Sequence, residues 1–111
     1  MTVSEFAKLN SLKILALPAG EREIKGGYMG DLLSWVMGRA KQDQAWITIM
    51  SNQNVIAVAS LIDVACVILA EDVQLEQSII DNALARGVNV LATPLPAFET
   101  AKLLIRDTVT E

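Results

Sequence analysis

Three glycines stand directly ahead of an amphipathic run in KGGYMGDLLSWVMGRA, which covers residues 25–40. They are Gly26, Gly27 and Gly30. The backbone N–H groups of a glycine-rich loop that opens a helix can hold a phosphate or another anion. Glycines are equally suited to a loop in which the chain only turns sharply. The spacing G-G-x-x-G-D matches neither the Walker A box nor the G-x-G-x-x-G dinucleotide pattern, so both interpretations stay open.

Asp31 weighs against the anion interpretation. We predict a helix over Asp31–Ala40, so the Asp31 carboxylate would lie in its first turn and already satisfy the positive end of the helix. A second negative group at this point would be repelled unless Arg22 or Lys25 offset the charge.

Polar residues also follow other predicted strands. The SNQN stretch, residues 51–54, carries four hydrogen-bonding side chains, of which two suffice to cap the next helix. The other two would bind a polar ligand or face water. Thr93 ends a predicted strand, and Pro94 stiffens the turn after it. Ligands of open α/β sheets bind beyond the carboxyl ends of the strands. The candidate lining is therefore residues 18–30, 51–54, 71–72 and 93–96.

The sequence offers little for catalysis. It contains no histidine, which excludes Ser-His and Cys-His nucleophilic groups and the commonest metal ligand. Its one cysteine, Cys66, lies within the apolar run VACVILA, which favours a buried and inert thiol. The carboxylates show no spacing typical of general acid–base catalysis. We therefore expect no metal and no cofactor.

Composition narrows the class of protein further. A net charge of −4 over 111 residues provides no basic field for nucleic acid, and the length is that of one domain. The apolar run Val55–Ala70 has sixteen residues, fewer than the roughly 20 of a membrane helix, and Asp63 interrupts it. We predict no membrane span. A single thiol and no signal peptide favour the cytoplasm.

Periodicity predicts an alternation of strands and helices. The strands are predicted at 12–17, 45–50, 64–70 and 88–93, and the helices at about 3–10, 31–40, 54–62, 73–86 and 98–106. Alternating strands and helices with short loops indicate parallel pairing. The sequence thus predicts one α/β domain with three layers, α/β/α, and a mostly parallel sheet of about four strands.

Local signals set the expected element ends. The S/T-x-x-E spacing of Thr2 and Glu5 predicts a capping box for the first helix. Asp72 is expected to cap the helix over 73–86, and Gly87 to end it. Residues 22–25 are expected in a loop that can extend as a short edge strand, and residues 107–111 to fray.

Three stretches resemble the DRTGG domain family: REIKGGYMGDLLSWVMGRA, AWITIMSNQNVIAVASLIDVACVILAED and GVNVLATPLPAFETAKLL. The resemblance covers about residues 12–104 in the right order. The name-giving pentapeptide is absent as such, and its nearest counterpart is Glu21-Arg22 followed by Gly26-Gly27.

The resemblance implies an α/β domain similar to the N-terminal domain of HPr kinase/phosphorylase. The resemblance implies no enzymatic activity. The kinase chemistry of HPr kinase/phosphorylase resides in its other domain, which has a P-loop that this sequence lacks. Similar domains accompany catalytic or regulatory domains. Stand-alone members occur in anaerobic bacteria near genes for iron-only hydrogenase and related electron-transfer subunits.

We therefore predict a non-catalytic regulatory or accessory domain that binds a small, anionic ligand, such as a nucleotide or phospho-metabolite, or a partner protein. The rim of the predicted site consists of Arg22, Gly26, Gly27, Tyr28, Gly30, Asp31, Asn52, Asn54, Thr93 and Pro94.

Two alternatives stay open. One is a structural homo-oligomer, such as a dimer, that assembles into a hydrogenase or another electron-transfer complex. Met29, Trp35 and Met37 suggest it, since methionine and aromatic side chains are enriched at interfaces. The other is an enzyme of phosphoryl or acyl transfer that no motif reveals.

Overall fold

The computed structural model describes residues 1–108 of the chain. The elements, in chain order, are α1 (Val3–Leu9), β1 (Lys13–Ala16), β2 (Gly27–Met29), α2 (Leu33–Arg39), β3 (Ala45–Thr48), α3 (Gln53–Ile62), β4 (Cys66–Leu69), α4 (Gln77–Arg86), β5 (Val90–Ala92) and α5 (Ala97–Thr108). No helix in this part of the chain is long and apolar enough to cross a membrane.

The five strands form one sheet in the order β1-β5-β4-β3-β2. The pairs β2–β3, β3–β4 and β4–β5 are parallel, which confirms the predicted, mostly parallel sheet. In contrast, β1 runs antiparallel to β5, with Lys13 opposite Ala92. The carboxyl ends of β2 to β5 therefore share one edge of the sheet with the amino end of β1. We call this the carboxyl edge, and the opposite one the amino edge.

Both faces of the sheet are buried, which is why its central strands are almost wholly apolar. Trp46 of β3 and Val67 of β4 lie in the core under α2, α3 and α4. Their neighbours Ile47 and Ile68 point to the other face, where α1 and α5 pack. This arrangement confirms the three layers predicted from the sequence.

Helix ends follow local chemistry in several places. The capping box of Thr2 and Glu5 is present at α1, and Gly87 ends α4 in the left-handed region. The predicted cap of α4 is wrong, however. This helix begins at Gln77 after Glu76, while Asp72 belongs to a loop in which it adopts a left-handed φ of 60°.

The glycine stretch contains a strand that the pattern did not reveal. Gly26 has a φ of 89°, and the chain then pairs Gly27–Met29 with Ala45–Ile47. The edge strand thus lies two residues beyond the predicted range 22–25. This short strand has too few residues to show an alternating pattern, so only its pairing with β3 defines it.

The predicted apolar stripe of α2 is mostly exposed. The helix begins at Leu33, so Asp31 precedes it, and only Val36 among its residues is buried. Met37 is 49% exposed, and Trp35 is 54% exposed with the Arg39 guanidinium 4.0 Å from its ring centroid. Leu33 and Ala40 are partly buried and pack against the same core as Val36, so the helix contacts the sheet through a narrow strip only.

The last helix extends further than expected. It reaches Thr108, and the Asp107 carboxylate accepts a 2.9 Å hydrogen bond from the Asn10 side chain at the end of α1. This contact ties the two helices of one layer together. Of the residues predicted to fray, 109–111 lie outside the described part of the chain.

Candidate ligand-binding site

A cavity of about 270 Å³ opens at the carboxyl edge, where β1 joins the sheet beside β5. Strand β1 supplies one wall, and the carboxyl end of β5 supplies the floor. The other wall is the loop between β4 and α4, residues 70–76, which we call the wall loop. The lining residues are Lys13, Leu15, Asp72, Val73, Gln74, Leu75, Gln77, Ile80, Ala92, Thr93 and Pro94.

Thr93 fixes the floor of this cavity through its backbone. Its N–H donates to the Leu69 carbonyl at 2.9 Å, and its carbonyl accepts from the Asp72 N–H at 3.0 Å. Its hydroxyl accepts from the Leu95 N–H at 3.2 Å. These bonds join the end of β5 to the end of β4 and to the wall loop.

The wall loop begins with two strained residues. Glu71 and Asp72 have φ values of 61° and 60°, a region that residues other than glycine rarely occupy. The Glu71 N–H donates to the Leu95 carbonyl at 2.8 Å, and the Ala97 N–H donates to the Glu71 carboxylate at 3.2 Å. Such strain persists only where surrounding contacts enforce it, and it concentrates at functional sites.

The cavity combines charges of both signs with apolar side chains. The ammonium of Lys13 and the carboxylate of Asp72 are on opposite walls, and Leu15 and Leu75 supply apolar surface. No side chain caps the start of α4, where Gln77 lines the cavity. This set can bind a polar ligand with a negative group, but it contains no nucleophile paired with a base. Among residues 1–108, no three metal-ligating side chains cluster.

The predicted rim residues are divided between the two edges of the sheet. Arg22 lies at the amino edge, since it contacts Asp43 and Asp63, which precede β3 and β4. Its guanidinium donates to Asp43 at 2.6 Å and to Asp63 at 2.8 Å. Burial lowers the pKa of Arg22, but these two carboxylates outweigh the effect and leave the pKa raised. The charge is thus satisfied within the fold.

Gly26 and Gly27 also lie toward the amino edge, at the start of β2, and each has a structural role. The left-handed φ of Gly26 makes the turn into the strand. Gly27 lies directly against the Leu104 side chain, and a Cβ there would also be 3.2 Å from the Ala45 carbonyl oxygen. Its missing side chain therefore lets α5 pack on the sheet.

Three more predicted residues lie along β2 or just beyond it. Tyr28 is half-buried and packs against the core under α2 to α4, and the Gly30 carbonyl accepts a 2.9 Å bond from the Trp46 indole. The Asp31 carboxylate accepts from the Thr48 hydroxyl at 2.7 Å and from the Ile49 N–H at 2.9 Å. These bonds hold Asp31 to the end of β3 instead of to α2.

The two predicted asparagines lie at the start of α3. Asn52 is the N-cap of α3, and its side chain accepts a 2.9 Å bond from the Asn54 N–H. Both follow β3, whereas the cavity lies at the far end of the same edge, beside β5 and β1. Of the ten predicted residues, the structure places only Thr93 and Pro94 at the cavity.

Lys13, Gln74 and Gln77 line the cavity and are not among the predicted rim residues. Lys13 starts the first strand, and in a fully parallel sheet it would lie at the opposite edge. One signal was present in the sequence: only ten residues separate β1 from β2, fewer than the dozen or more of a parallel crossover.

Comparison with known proteins places the chain among domains of similar sequence and fold. A model of the DRTGG domain family matches residues 30–106, more than half of the chain. No curated protein matches. One similar solved structure is that of the CBS and DRTGG domains of the regulatory region of Clostridium perfringens pyrophosphatase, complexed with the activator diadenosine tetraphosphate. Its TM-score is 0.76 at 13% identity, over 94% of this chain and 46% of that one.

Proposed function

This chain belongs to the DRTGG domain family, and we propose that it is a non-catalytic regulatory or accessory domain that binds a small anionic ligand. The observation that carries the proposal is the cavity at the carboxyl edge, which brings Lys13, Asp72 and Thr93 together around one space. Thr93 and Pro94 are retained from the predicted site.

The size and chemistry of the cavity favour a ligand built like a nucleotide or a phospho-metabolite. Its volume of about 270 Å³ is close to the lower end of the roughly 300–1,000 Å³ of small-molecule sites. Lys13 and the start of α4 would hold the negative group. Asp72 would accept hydrogen bonds from hydroxyl or amino groups, and Leu15 and Leu75 would contact the apolar part.

The similar solved structure supports the proposal of a regulatory role. That pyrophosphatase region is complexed with a nucleotide activator, but this chain spans about half of its length. The likeness at 13% identity concerns the fold alone. Nucleotide binding by this chain therefore stands as our proposal.

Thermal unfolding in the presence of nucleotides, phospho-metabolites and inorganic phosphate tests the proposal. We expect at least one compound to raise the midpoint, because a ligand that binds only the folded state stabilises it. Calorimetric titration should then show affinity about 10- to 100-fold lower for Lys13→Gln and for Asp72→Asn, as for a lost hydrogen bond to a charged group.

The matched control is Lys41→Gln, which removes the same charge ahead of β3 at the amino edge and should leave the affinity unchanged. If no compound shifts the midpoint, or if the three variants bind alike, ligand binding in this cavity is wrong.

Assembly is a second candidate function. Its support is the exposure of Met29, Trp35 and Met37, each about half exposed. Such side chains are enriched at interfaces. We propose a homodimer and, from the resemblance to stand-alone domains, a partner in a hydrogenase or electron-transfer complex. Light scattering of the protein alone and mixed with such subunits tests both; a monomer that ignores them would contradict this candidate.

A further inference from the structure

The outer side of β2 is an unpaired strand edge. This strand ends the sheet, and Lys25, Gly27, Met29 and Asp31 along it are all exposed. Hydrogen bonds from Ala45 N–H to the Gly26 carbonyl and from Gly30 N–H to the Ile47 carbonyl point inward, to β3. Because peptide groups alternate along a strand, the N–H and carbonyl groups of Gly27 and Met29 point outward.

A shallow apolar groove adjoins this edge on the α5 face. It has a volume of about 200 Å³ and is lined by Gly27, Tyr28, Met29, Ile47, Ala101, Leu104 and Ile105. Met29 and Ile105 are 51% and 59% exposed. Tyr28 packs toward the other face, so Gly27 and Met29 lie on the groove side.

We propose that a second copy of this chain pairs with the β2 edge, antiparallel and about a two-fold axis at Tyr28. The pairing deepens the homodimer suggested above and rests on it. In this register Gly27 of one copy faces Met29 of the other, and each such pair exchanges two backbone hydrogen bonds. The two sheets become one continuous sheet.

The same register makes the side chains complementary. Both copies keep their α5 helices on one face of the joined sheet, so Met29 of the second copy would lie opposite Gly27, on the outer side of the Leu104 side chain that packs against this glycine. It would contact Leu104 and Ile105. The charges match as well, because the exposed Lys25 and Asp31 flank β2 at its opposite ends, and antiparallel pairing would bring Lys25 of one copy near Asp31 of the other. The Asp31 carboxylate has acceptor capacity for this contact beside the two bonds that it accepts from Thr48 and Ile49.

The outer side of β1, the other outermost strand of the sheet, is a poorer candidate for pairing. Strand β1 has a register irregularity between Ile14 and Ala16, and Lys13 lies on it. Both features are devices by which edge strands avoid pairing. A two-fold contact through β2 therefore leaves the cavity beside β1 open, and the two proposals can be tested separately.

Light scattering of the full chain tests whether two copies associate through the β2 edge. We expect a dimer whose dissociation constant rises about tenfold or more in Met29→Arg, since the arginine would enter the apolar groove. Leu61→Arg is the matched control: it makes the same kind of change at a 70% exposed position of α3 and should leave the dimer intact.

Disulfide formation tests the register. Tyr28→Cys should cross-link two copies. Position 28 would lie directly opposite itself as a non-hydrogen-bonded pair, and the Cα atoms of such a pair are about 4.5 Å apart. Met29→Cys should not cross-link them, because its two copies are offset by two residues and about 8 Å apart, beyond disulfide range. The buried Cys66 does not interfere.

The outcomes are separable. A dimer unaffected by Met29→Arg, or cross-linked at position 29 and not at 28, overturns this interface while the homodimer stands. A monomeric protein overturns both. Pairing of β2 only with a different protein overturns the second copy as its occupant. Ligand binding in the cavity is decided by its own titration.

Discussion

The Leu104 side chain of α5 lies directly against Gly27 of β2, in the space that a side chain at position 27 would need. Gly27→Val should therefore push α5 off the sheet and destabilise the protein by about 1–3 kcal/mol, the usual cost of overpacking. Chemical denaturation measures this.

Gly38→Ala is the matched control, because nothing lies within 4 Å of a Cβ at that helical position. It should be neutral or stabilise by up to about 1 kcal/mol. If Gly27→Val is as stable as the wild type, the glycine has no packing role, and the anion interpretation of this loop regains its support.

The ion pairs of Arg22 with Asp43 and Asp63 should stabilise the amino edge of the sheet. Arg22→Met leaves Asp43 and Asp63 facing each other without the shared cation, and we expect a loss of about 1 kcal/mol, given their partial exposure. Arg22→Lys should recover only part, because an ammonium cannot make the same forked contacts. The same change at the exposed Arg86 is the control and should cost less.

Acid should weaken the contact between α5 and α1. Hydrogen bonds from Arg106 and Asn10 hold the pKa of Asp107 below its ordinary value. The carboxylate form therefore stabilises the fold above about pH 4, and this contribution is lost as the pH falls through the lowered pKa. Unfolding midpoints between pH 5 and pH 2 should fall less steeply in Asp107→Asn than in the wild type. A control variant, Glu21→Gln, should keep the wild-type slope; equal slopes in all three proteins would contradict the contact.

Cys66 should be inert in the native protein. Burial raises the pKa of its thiol to about 12, against the opposing charge of Arg22. At pH 8 about one thiol in ten thousand is then ionised, and the side chain is fully buried. A thiol reagent should label it only after unfolding, whereas a Leu61→Cys variant should label at once. Rapid labelling of the native wild type would show that this part of the sheet opens.

Much of the fold is encoded locally and could be predicted. The continuous apolar runs identify β3 and β4 as buried strands, and Thr2 with Glu5 marks the start of α1. Gly87 identifies the end of α4 because the chain leaves the helix there in a left-handed conformation, with a φ of 73°, which glycine adopts readily. Each of these signals lies within a few residues of the feature it predicts.

The site was harder to predict because it depends on strand direction. The pattern of β1 reads the same whether the strand is parallel or antiparallel, and only its pairing with β5, almost eighty residues away, sets the direction. The reversal moves Lys13 into the cavity and removes Arg22 from it. Asp31 was misplaced for a similar reason, since its partner Thr48 belongs to another strand.

The antiparallel β1 also has a consequence for the order in which the chain folds. Strands β2, β3 and β4 each pair with the strand that follows in sequence, and these closures are local. Residues 13–16 have no sheet partner until residues 90–92 exist. During synthesis the first strand must therefore wait, and the cavity that it helps to form is the last part of the sheet to be completed.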